Sequence, residues 1–151
     1  PLSKELVKRE VIIADGTLKA SEFALKYGVA MNIAGGTHHA YSNRGEAFCL
    51  LNDQAIGSRY LLHKNLAKKI LIVDLDVHQG NGTAKIFQND LNVYTFSMHG
   101  KGNYPFKKEE SNLDIALEND TNDETYLRIL KETLPRLIQN QILSIICVVL
   151  M

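Results

Sequence analysis

The segment from Ile70 to His78 constrains the fold most, because it joins a short apolar run to several polar residues. Residues 70–73 read Ile-Leu-Ile-Val, and Asp-Leu-Asp-Val-His follows at 74–78 before the turn Gln-Gly-Asn-Gly at 79–82. An apolar run without alternation predicts a strand covered on both faces, as in parallel sheets. Such sheets bind ligands at the carboxyl ends of their strands. The polar residues therefore predict a binding or catalytic site.

Helical and strand-like segments alternate along the rest of the chain. We predict strands near residues 29–34, 70–76, 93–97 and 143–150, and helices near 17–27, 53–66, 83–88 and from 122 or 123 onward. This alternation predicts one domain, 1–151, with a three-layer α/β/α fold and a mostly parallel sheet. The connection from residue 99 to about 122 is long for a compact domain, and long ordered loops are often functional.

The composition excludes several classes of protein. Seventeen Lys and Arg residues balance 17 Asp and Glu residues, and 45% of the chain is hydrophobic. No basic stripe predicts nucleic-acid binding, and the terminal apolar run at 142–151 is far shorter than the roughly 20 residues of a membrane span. Cys49 and Cys147 lack paired spacing, which predicts a reducing compartment. We expect a cytoplasmic protein that contacts neither nucleic acid nor membrane.

Asp76 and His78 are candidate metal ligands. Residues two apart in extended backbone project to the same side, as two ligands of one metal must. A carboxylate oxygen with an imidazole nitrogen suits zinc, and iron, cobalt or manganese stay open. His38 and His39 follow the predicted strand at 29–34 and a Gly-Gly turn. We therefore expect them at the same edge of the sheet.

Three motifs, in this order, closely resemble the zinc-dependent histone deacetylase superfamily. They are Gly-Gly-Thr-His-His-Ala at 35–40, Phe-Cys-Leu-Leu-Asn-Asp at 48–53, and Asp-Leu-Asp-Val-His-Gln-Gly-Asn-Gly-Thr at 74–83. The Gln-Gly-Asn variant looks most like the class IV branch and its bacterial relatives. The resemblance implies an arginase/deacetylase-like fold and a hydrolase whose partner is an acylated lysine peptide or an acylated small amine.

The resemblance also implies roles for the residues of these motifs. Asp76 and His78 match two of three zinc ligands, which leave a fourth position for a water whose pKa falls towards about 7. His38 and His39 match a tandem pair in which one histidine is general base and acid and its neighbour gives electrostatic help. Asp74 matches the carboxylate that orients one of these histidines, His38.

Asn81 departs from the family pattern. Most of the family has a carboxylate there as the partner of the second histidine. An amide accepts the imidazole N–H but brings no charge, so it should raise the pKa of that histidine less than an aspartate would. The departure fits the class IV pattern.

A monovalent-cation site, usually for potassium, is a further implication of the resemblance. Its ligands would be side-chain and backbone oxygens at the ends of two neighbouring strands, from Asp74, Asp76, His78, Ser97 and Met98. Such a cation would brace the strand that carries the zinc ligands.

An aromatic channel for the acyl-lysine stem is implied as well. Phe48 matches one wall, and either Tyr104 or Phe106 matches the opposing wall. Ala47 stands where the family commonly has glycine, so its methyl group is expected to narrow the channel or shift acyl preference.

The resemblance covers about residues 15–139, the central half of a deacetylase. The family's third zinc ligand is an aspartate after the next strand, and a later tyrosine polarises the substrate carbonyl. Here no Asp or Glu follows Glu132, and no Tyr follows Tyr126. We expect a partial catalytic domain, incomplete at its C-terminal side and inactive by itself, whose exposed sheet edge favours self-association.

Two other functions stay open. A manganese hydrolase of the related arginase-like fold would want an Asp-x-His-x-Asp pattern, and Gly80 occupies the last position here. A non-catalytic remnant that folds only with a partner is the other alternative.

Overall fold

The computed structural model describes residues 2–139 and the backbone of residues 145–149. The elements in chain order are α1 Lys4–Tyr27, α2 Asp53–His63, β1 Ile70–Asp74, α3 Asn81–Phe87, β2 Val93–Gly100, β3 Leu113–Leu117, α4 Asp123–Gln139 and β4 Ile145–Val149. In the part of the chain covered by these ranges, no helix is long and apolar enough to cross a membrane.

The four strands form one parallel sheet in the order β3-β2-β1-β4. Central strand β1 is buried along its whole length. Its alternate residues pack into two separate cores, Ile70 and Ile72 with Phe87 on one face, and Leu71 and Val73 with Leu137 on the other. Helices α2 and α3 cover the first face and α4 the second, which confirms the predicted three-layer α/β/α fold with a parallel sheet.

Helix α1 is longer than the predicted segment 17–27. It begins at Lys4, where the Ser3 side chain accepts a hydrogen bond from the Leu6 backbone, and it ends at Gly28, which has a φ of 94°. The predicted stop is therefore correct. Only four residues of α1 are buried. The first half of the helix was not predicted because its apolar periodicity is weak.

The predicted strand at 29–34 is wrong. This segment is irregular, and Val29, Met31 and Ile33 are each more than 80% exposed. Alternating apolar residues fit a strand only where a neighbouring strand pairs with them, and β1 already has β2 and β4 on its two sides. The His38–His39 pair thus follows a loop and not a strand.

Two boundaries near the polar motif also differ from expectation. Strand β1 ends at Asp74, so Asp76 and His78 lie in the following bend and not on extended backbone. Strand β2 continues to Gly100, and the predicted loop at 99–122 contains β3. β3 was missed because it is a half-exposed edge strand whose side chains alternate between partly buried and exposed.

Candidate active site

The predicted polar residues converge at the carboxyl end of β1. Asp74 is the last residue of that strand, and Asp76 and His78 follow it in the bend towards α3. His38 and His39 come from the loop that precedes α2. This is the edge at which parallel α/β sheets bind their ligands.

His38 is fully buried against Asp74. Its Nδ1 lies 2.6 Å from Asp74 Oδ2, and its Nε2, 3.9 Å from Asp76 Oδ1, has no hydrogen-bond partner among the described residues. Burial lowers the pKa of His38, but the hydrogen bond and charge of Asp74, together with the charges of Asp76 and Asp53, outweigh burial, so the pKa is raised. A carboxylate only accepts, so Nδ1 carries the proton that binds Asp74.

His39 has a neutral partner. Its Nδ1 lies 2.7 Å from Asn81 Oδ1, and its ring centre is 4.2 Å from that of His38. Burial lowers the pKa of His39, and the neighbouring imidazoles of His38 and His78 lower it further, against the hydrogen bond to Asn81. The two adjacent histidines therefore have pKa values shifted in opposite directions, a pattern typical of acid and base pairs in enzymes.

Asp76 and His78 bring one oxygen and one nitrogen donor together. His78 Nδ1 lies 2.9 Å from Asp76 Oδ1, which also accepts the backbone N–H of His78 at 2.6 Å. Asp76 is 3% exposed, whereas the His78 side chain is 40% exposed. The donor set and the partnerless His38 Nε2 nearby fit a zinc ion. Within residues 2–139, no three His, Cys, Asp or Glu side chains form a group that could hold a metal.

Two residues of the Phe-Cys-Leu-Leu-Asn-Asp motif hold the histidine loop, a role that sequence reasoning missed. Asn52 caps α2 and donates from Nδ2 to the backbone oxygens of His38 and Ala40. Asp53 accepts the backbone N–H groups of Gly36 and Thr37. Their position at the start of the predicted helix was the available signal, since Asn is a favoured cap and Asp is favoured in the first turn.

Two glycines permit the close packing of this site. A side chain on Gly82 would overlap the backbone of His39 and Ala40, and one on Gly80 would overlap Asp74 Oδ2 and crowd His38. The turn Gln-Gly-Asn-Gly therefore needs glycine at both positions because the histidine loop and Asp74 approach its backbone.

The aromatic residues differ in their distance from the histidines. Tyr104 lies edge-on to His39 with ring centres 5.1 Å apart, and Phe106 lies farther out, 6.4 Å from Tyr104. Phe106 is 92% exposed and Phe48 is 100% exposed. Ala47 has a φ of 51°, in the left-handed region that favours glycine. That backbone conformation gives a physical reason for the glycine common at this position in the family.

A hydrogen-bonded group around Asn81 was also missed by sequence reasoning. Asn81 Nδ2 donates to Glu46 Oε1 at 2.6 Å and to the Tyr41 hydroxyl at 3.0 Å, and the Tyr104 hydroxyl donates to the same Glu46 oxygen at 2.8 Å. Burial and the hydrogen bond to Glu46 raise the pKa of Tyr104 to about 12, so its phenol stays protonated. No motif pointed to Glu46.

Three of the five residues expected to bind a monovalent cation lie on neighbouring strands, and the other two lie in the bend after β1. Asp74 and Ser97 are partners in the register of β1 and β2, and Met98 is buried next to Ser97. Ser97 Oγ lies 2.9 Å from His99 Nδ1. His99, the first residue of the predicted loop at 99–122, is instead a buried residue of β2, because the strand continues past Ser97.

Two known proteins are similar to most of this chain. An uncharacterised protein of Picosynechococcus is 49% identical over 138 residues, 91% of this chain and 46% of the relative. The acetoin utilization protein AcuC of Staphylococcus aureus is 31% identical over 152 residues, 91% of this chain and 39% of the relative.

Two solved structures are also similar to this chain. An HDAC homologue from Aquifex aeolicus superposes with a TM-score of 0.82 at 28% identity, over 93% of this chain and 41% of its own. An HDAC homologue complexed with SAHA superposes with a TM-score of 0.86 at 28% identity, over 98% and 43%. The chain thus spans less than half the length of these relatives. Because the histone deacetylase domain model matches residues 1–147, the chain belongs to the histone deacetylase family.

Proposed function

We propose that this chain provides part of the active site of a zinc-dependent amidohydrolase that removes an acyl group from lysine or a related amine. The family makes a deacetylase-type hydrolase the expected activity. The observation that carries the proposal is the convergence of two differently partnered histidines on the donors Asp76 and His78. The Gln-Gly-Asn motif supports placing it near the class IV branch.

Asp76 and His78 would hold the zinc, together with a third ligand from outside the described residues. Bound zinc supplies a Lewis acid that polarises the acyl carbonyl and lowers the pKa of a water molecule towards about 7. A carboxylate oxygen and an imidazole nitrogen are both usual zinc ligands. The carboxylate of Asp76 is buried, and the exposed side of His78 leaves room for substrate.

The histidine pair divides the proton transfers. His39, whose partner is a neutral amide, accepts the proton of the attacking water at Nε2 and later returns a proton to the leaving amine. His38, whose partner is the carboxylate of Asp74, keeps its proton and stabilises the negative charge that develops on the reacting acyl group. Asn81 fixes the Nδ1–H tautomer of His39, and Asp74 orients the His38 ring by accepting its Nδ1–H.

The aromatic residues favour an apolar acyl-lysine stem. Tyr104 lies against His39, with Phe106 beyond it, and Phe48 is exposed on the loop that precedes α2. We infer that these three rings and Ala47 line the substrate channel. A family member solved in complex with SAHA supports a site that takes acyl-lysine-like ligands.

The family resemblance also supports a proposed potassium site. Potassium would bind oxygens at the ends of β1 and β2, where Asp74 and Ser97 are register partners.

Strands β3 and β4 are the two edges of the sheet, and pairing at an edge is the proposed route of self-association. Residues 1–151 would be one partial catalytic domain, and the cytoplasmic location stays a prediction from cysteine usage.

The manganese alternative is less favourable. Its pattern needs a carboxylate two residues after His78, and any side chain at Gly80 would overlap Asp74. A non-catalytic remnant is the remaining alternative, and metal content separates it from the proposal.

Zinc binding and turnover test the proposal in two steps. The 151-residue chain should bind zinc weakly and show no turnover of an acetyl-lysine peptide, because two ligands hold zinc much less tightly than three. A chimera in which residues 1–147 replace the matched segment of the Picosynechococcus relative should bind one zinc and hydrolyse the peptide. Asp76→Ala should abolish both zinc binding and turnover, and His39→Ala turnover only.

The controls decide between the alternatives. The unmodified relative must hydrolyse the peptide under the same conditions. A chimera that folds and binds zinc but shows no turnover, or that is active with manganese and not with zinc, contradicts the proposal. Robust turnover by the 151-residue chain that His38→Ala abolishes would contradict its expected inactivity.

A further inference from the structure

The side chain of Asn81 is buried between His39 on one side and Glu46 and Tyr41 on the other. An amide has an oxygen that accepts and a nitrogen that donates, and the two ends have nearly the same shape. Which end faces His39 therefore depends on what the other end binds. That choice decides whether the Nδ1 of His39 donates or accepts.

Glu46 removes the ambiguity. An ionised carboxylate only accepts hydrogen bonds, so the amide nitrogen of Asn81 has to point at Glu46 Oε1, 2.6 Å away. Burial raises the pKa of Glu46, but hydrogen bonds from Tyr104, Asn81 and Arg44 outweigh burial and hold that pKa below its usual value. The Tyr41 hydroxyl cannot impose the same choice, because a hydroxyl both donates and accepts.

Two further hydrogen bonds hold the Glu46 carboxylate in place, and a third contact holds its partner Arg44. Tyr104 donates to Oε1 at 2.8 Å, and Arg44 Nη2 donates to Oε2 at 3.1 Å. The Arg44 guanidinium lies over the Tyr41 ring, 3.6 Å from its centre. The carboxylate thus has a fixed position even though it stands on a loop.

We infer that Glu46 is a positioning residue that sets the tautomer of His39 through Asn81. With the amide nitrogen held by Glu46, Asn81 Oδ1 faces His39 and accepts its Nδ1–H, which leaves the lone pair on Nε2. An aspartate in place of Asn81 would put a negative charge in direct contact with His39. Here that charge is on Glu46, one side chain farther from the imidazole. The catalytic value of this tautomer rests on the proposed function, but the tautomer itself does not.

The tautomer can be observed directly. Long-range proton–nitrogen NMR spectra of the metal-free chain, recorded near pH 8, where imidazoles are largely neutral, distinguish Nδ1–H from Nε2–H rings. The wild-type His39 should be in the Nδ1–H form. Glu46→Ala should give a mixture with the Nε2–H form, and so should Glu46→Gln, because a glutamine amide, unlike a carboxylate, can either accept from Asn81 or donate to it.

Tyr41→Phe is the matched control, because it removes the other acceptor from the same amide nitrogen. It should leave the His39 tautomer unchanged. A pure Nδ1–H ring in Glu46→Ala, or an equal loss of that form in Tyr41→Phe, would overturn the inference.

A double-mutant cycle gives a second readout if Glu46→Ala does not fold. Asn81→Asp sets a carboxylate against Glu46 and should lower the midpoint of thermal unfolding. The same substitution should lower it much less in the Glu46→Gln background, where the glutamine can donate to the new aspartate. Equal losses in both backgrounds would contradict the coupling. Neither experiment requires zinc binding or turnover. Both can therefore be interpreted even if the deacylation assay fails.

Discussion

The imidazole of His38 lies fully buried against the carboxylate of Asp74, with Nδ1 2.6 Å from Oδ2. The two residues are 36 positions apart, and the contact joins the loop before α2 to the end of β1. Burial by itself would favour a neutral imidazole, so the proton on this ring depends on Asp74.

Asp74→Asn should move the pKa of His38 from above to below 6.5, the ordinary histidine value. In the wild type the raised pKa stabilises the fold below pH 6.5, and that contribution is lost as pH rises through the pKa of the folded state. The variant removes the charge and leaves burial in place. Proton NMR titration of the metal-free protein measures the shift. A pKa that stays above 6.5 in the variant would show that another group stabilises the imidazolium.

His99→Gln should reduce the loss of stability on acidification. Burial lowers the pKa of His99, and the charge of Lys108 lowers it further, against the nearby Asp114. A lowered folded pKa means that stability falls as pH drops from 6.5 towards that pKa, because the unfolded state binds the proton first. Urea unfolding at several pH values between 7.5 and 5 should show a shallower decline for the variant. An identical decline in both proteins contradicts the prediction.

Asn52→Ala should destabilise the protein by about 2–4 kcal/mol, since it removes a helix cap and leaves buried backbone oxygens without their donor. Ser3→Ala is the matched control. Ser3 also caps a helix, but its bond to Leu6 is exposed, so its loss should cost about 1 kcal/mol or less. Chemical denaturation compares the two variants, and equal costs would mean that Asn52 acts only as a cap.

Gly82→Ala should cost more than about 2 kcal/mol and displace the histidine loop, because the new methyl group overlaps the backbone of His39 and Ala40. Gly57→Ala is its control within another helix. There the nearest atom, Ser21 Oγ, is 3.6 Å from the new methyl group, so the substitution should stabilise the protein by up to about 1 kcal/mol. Thermal unfolding measures the expected loss of stability in Gly82→Ala and the expected gain in Gly57→Ala. A Gly82→Ala variant with unchanged stability would contradict the packing argument.

The sequence predicted the fold where its signals were local. The apolar run at 70–73 identified the central strand, and Gly28 identified the end of α1. Edge strand β3 and the segment at 29–34 were misjudged for one reason. Whether an alternating or apolar segment becomes a strand depends on a neighbouring strand, and neighbours are decided by the whole fold.

The candidate residues His38, His39, Asp74, Asp76, His78 and Asn81 were all visible in the sequence, since their types and spacing match a known family. Their partners were not equally visible. Asn52, Asp53 and Glu46 act through hydrogen bonds to residues 12 to 35 positions away, which no local pattern encodes.

The sequence by itself thus determined which residue types meet at the end of β1 and which chemistry they favour. The family resemblance already predicted Asp74 as the partner of His38 and Asn81 as the partner of His39, and only the tertiary structure showed that Glu46 holds that amide. The pKa of each imidazole shifts according to its burial and its nearest charges. Both are properties of three-dimensional packing, and adjacent positions in the sequence carry no information about them.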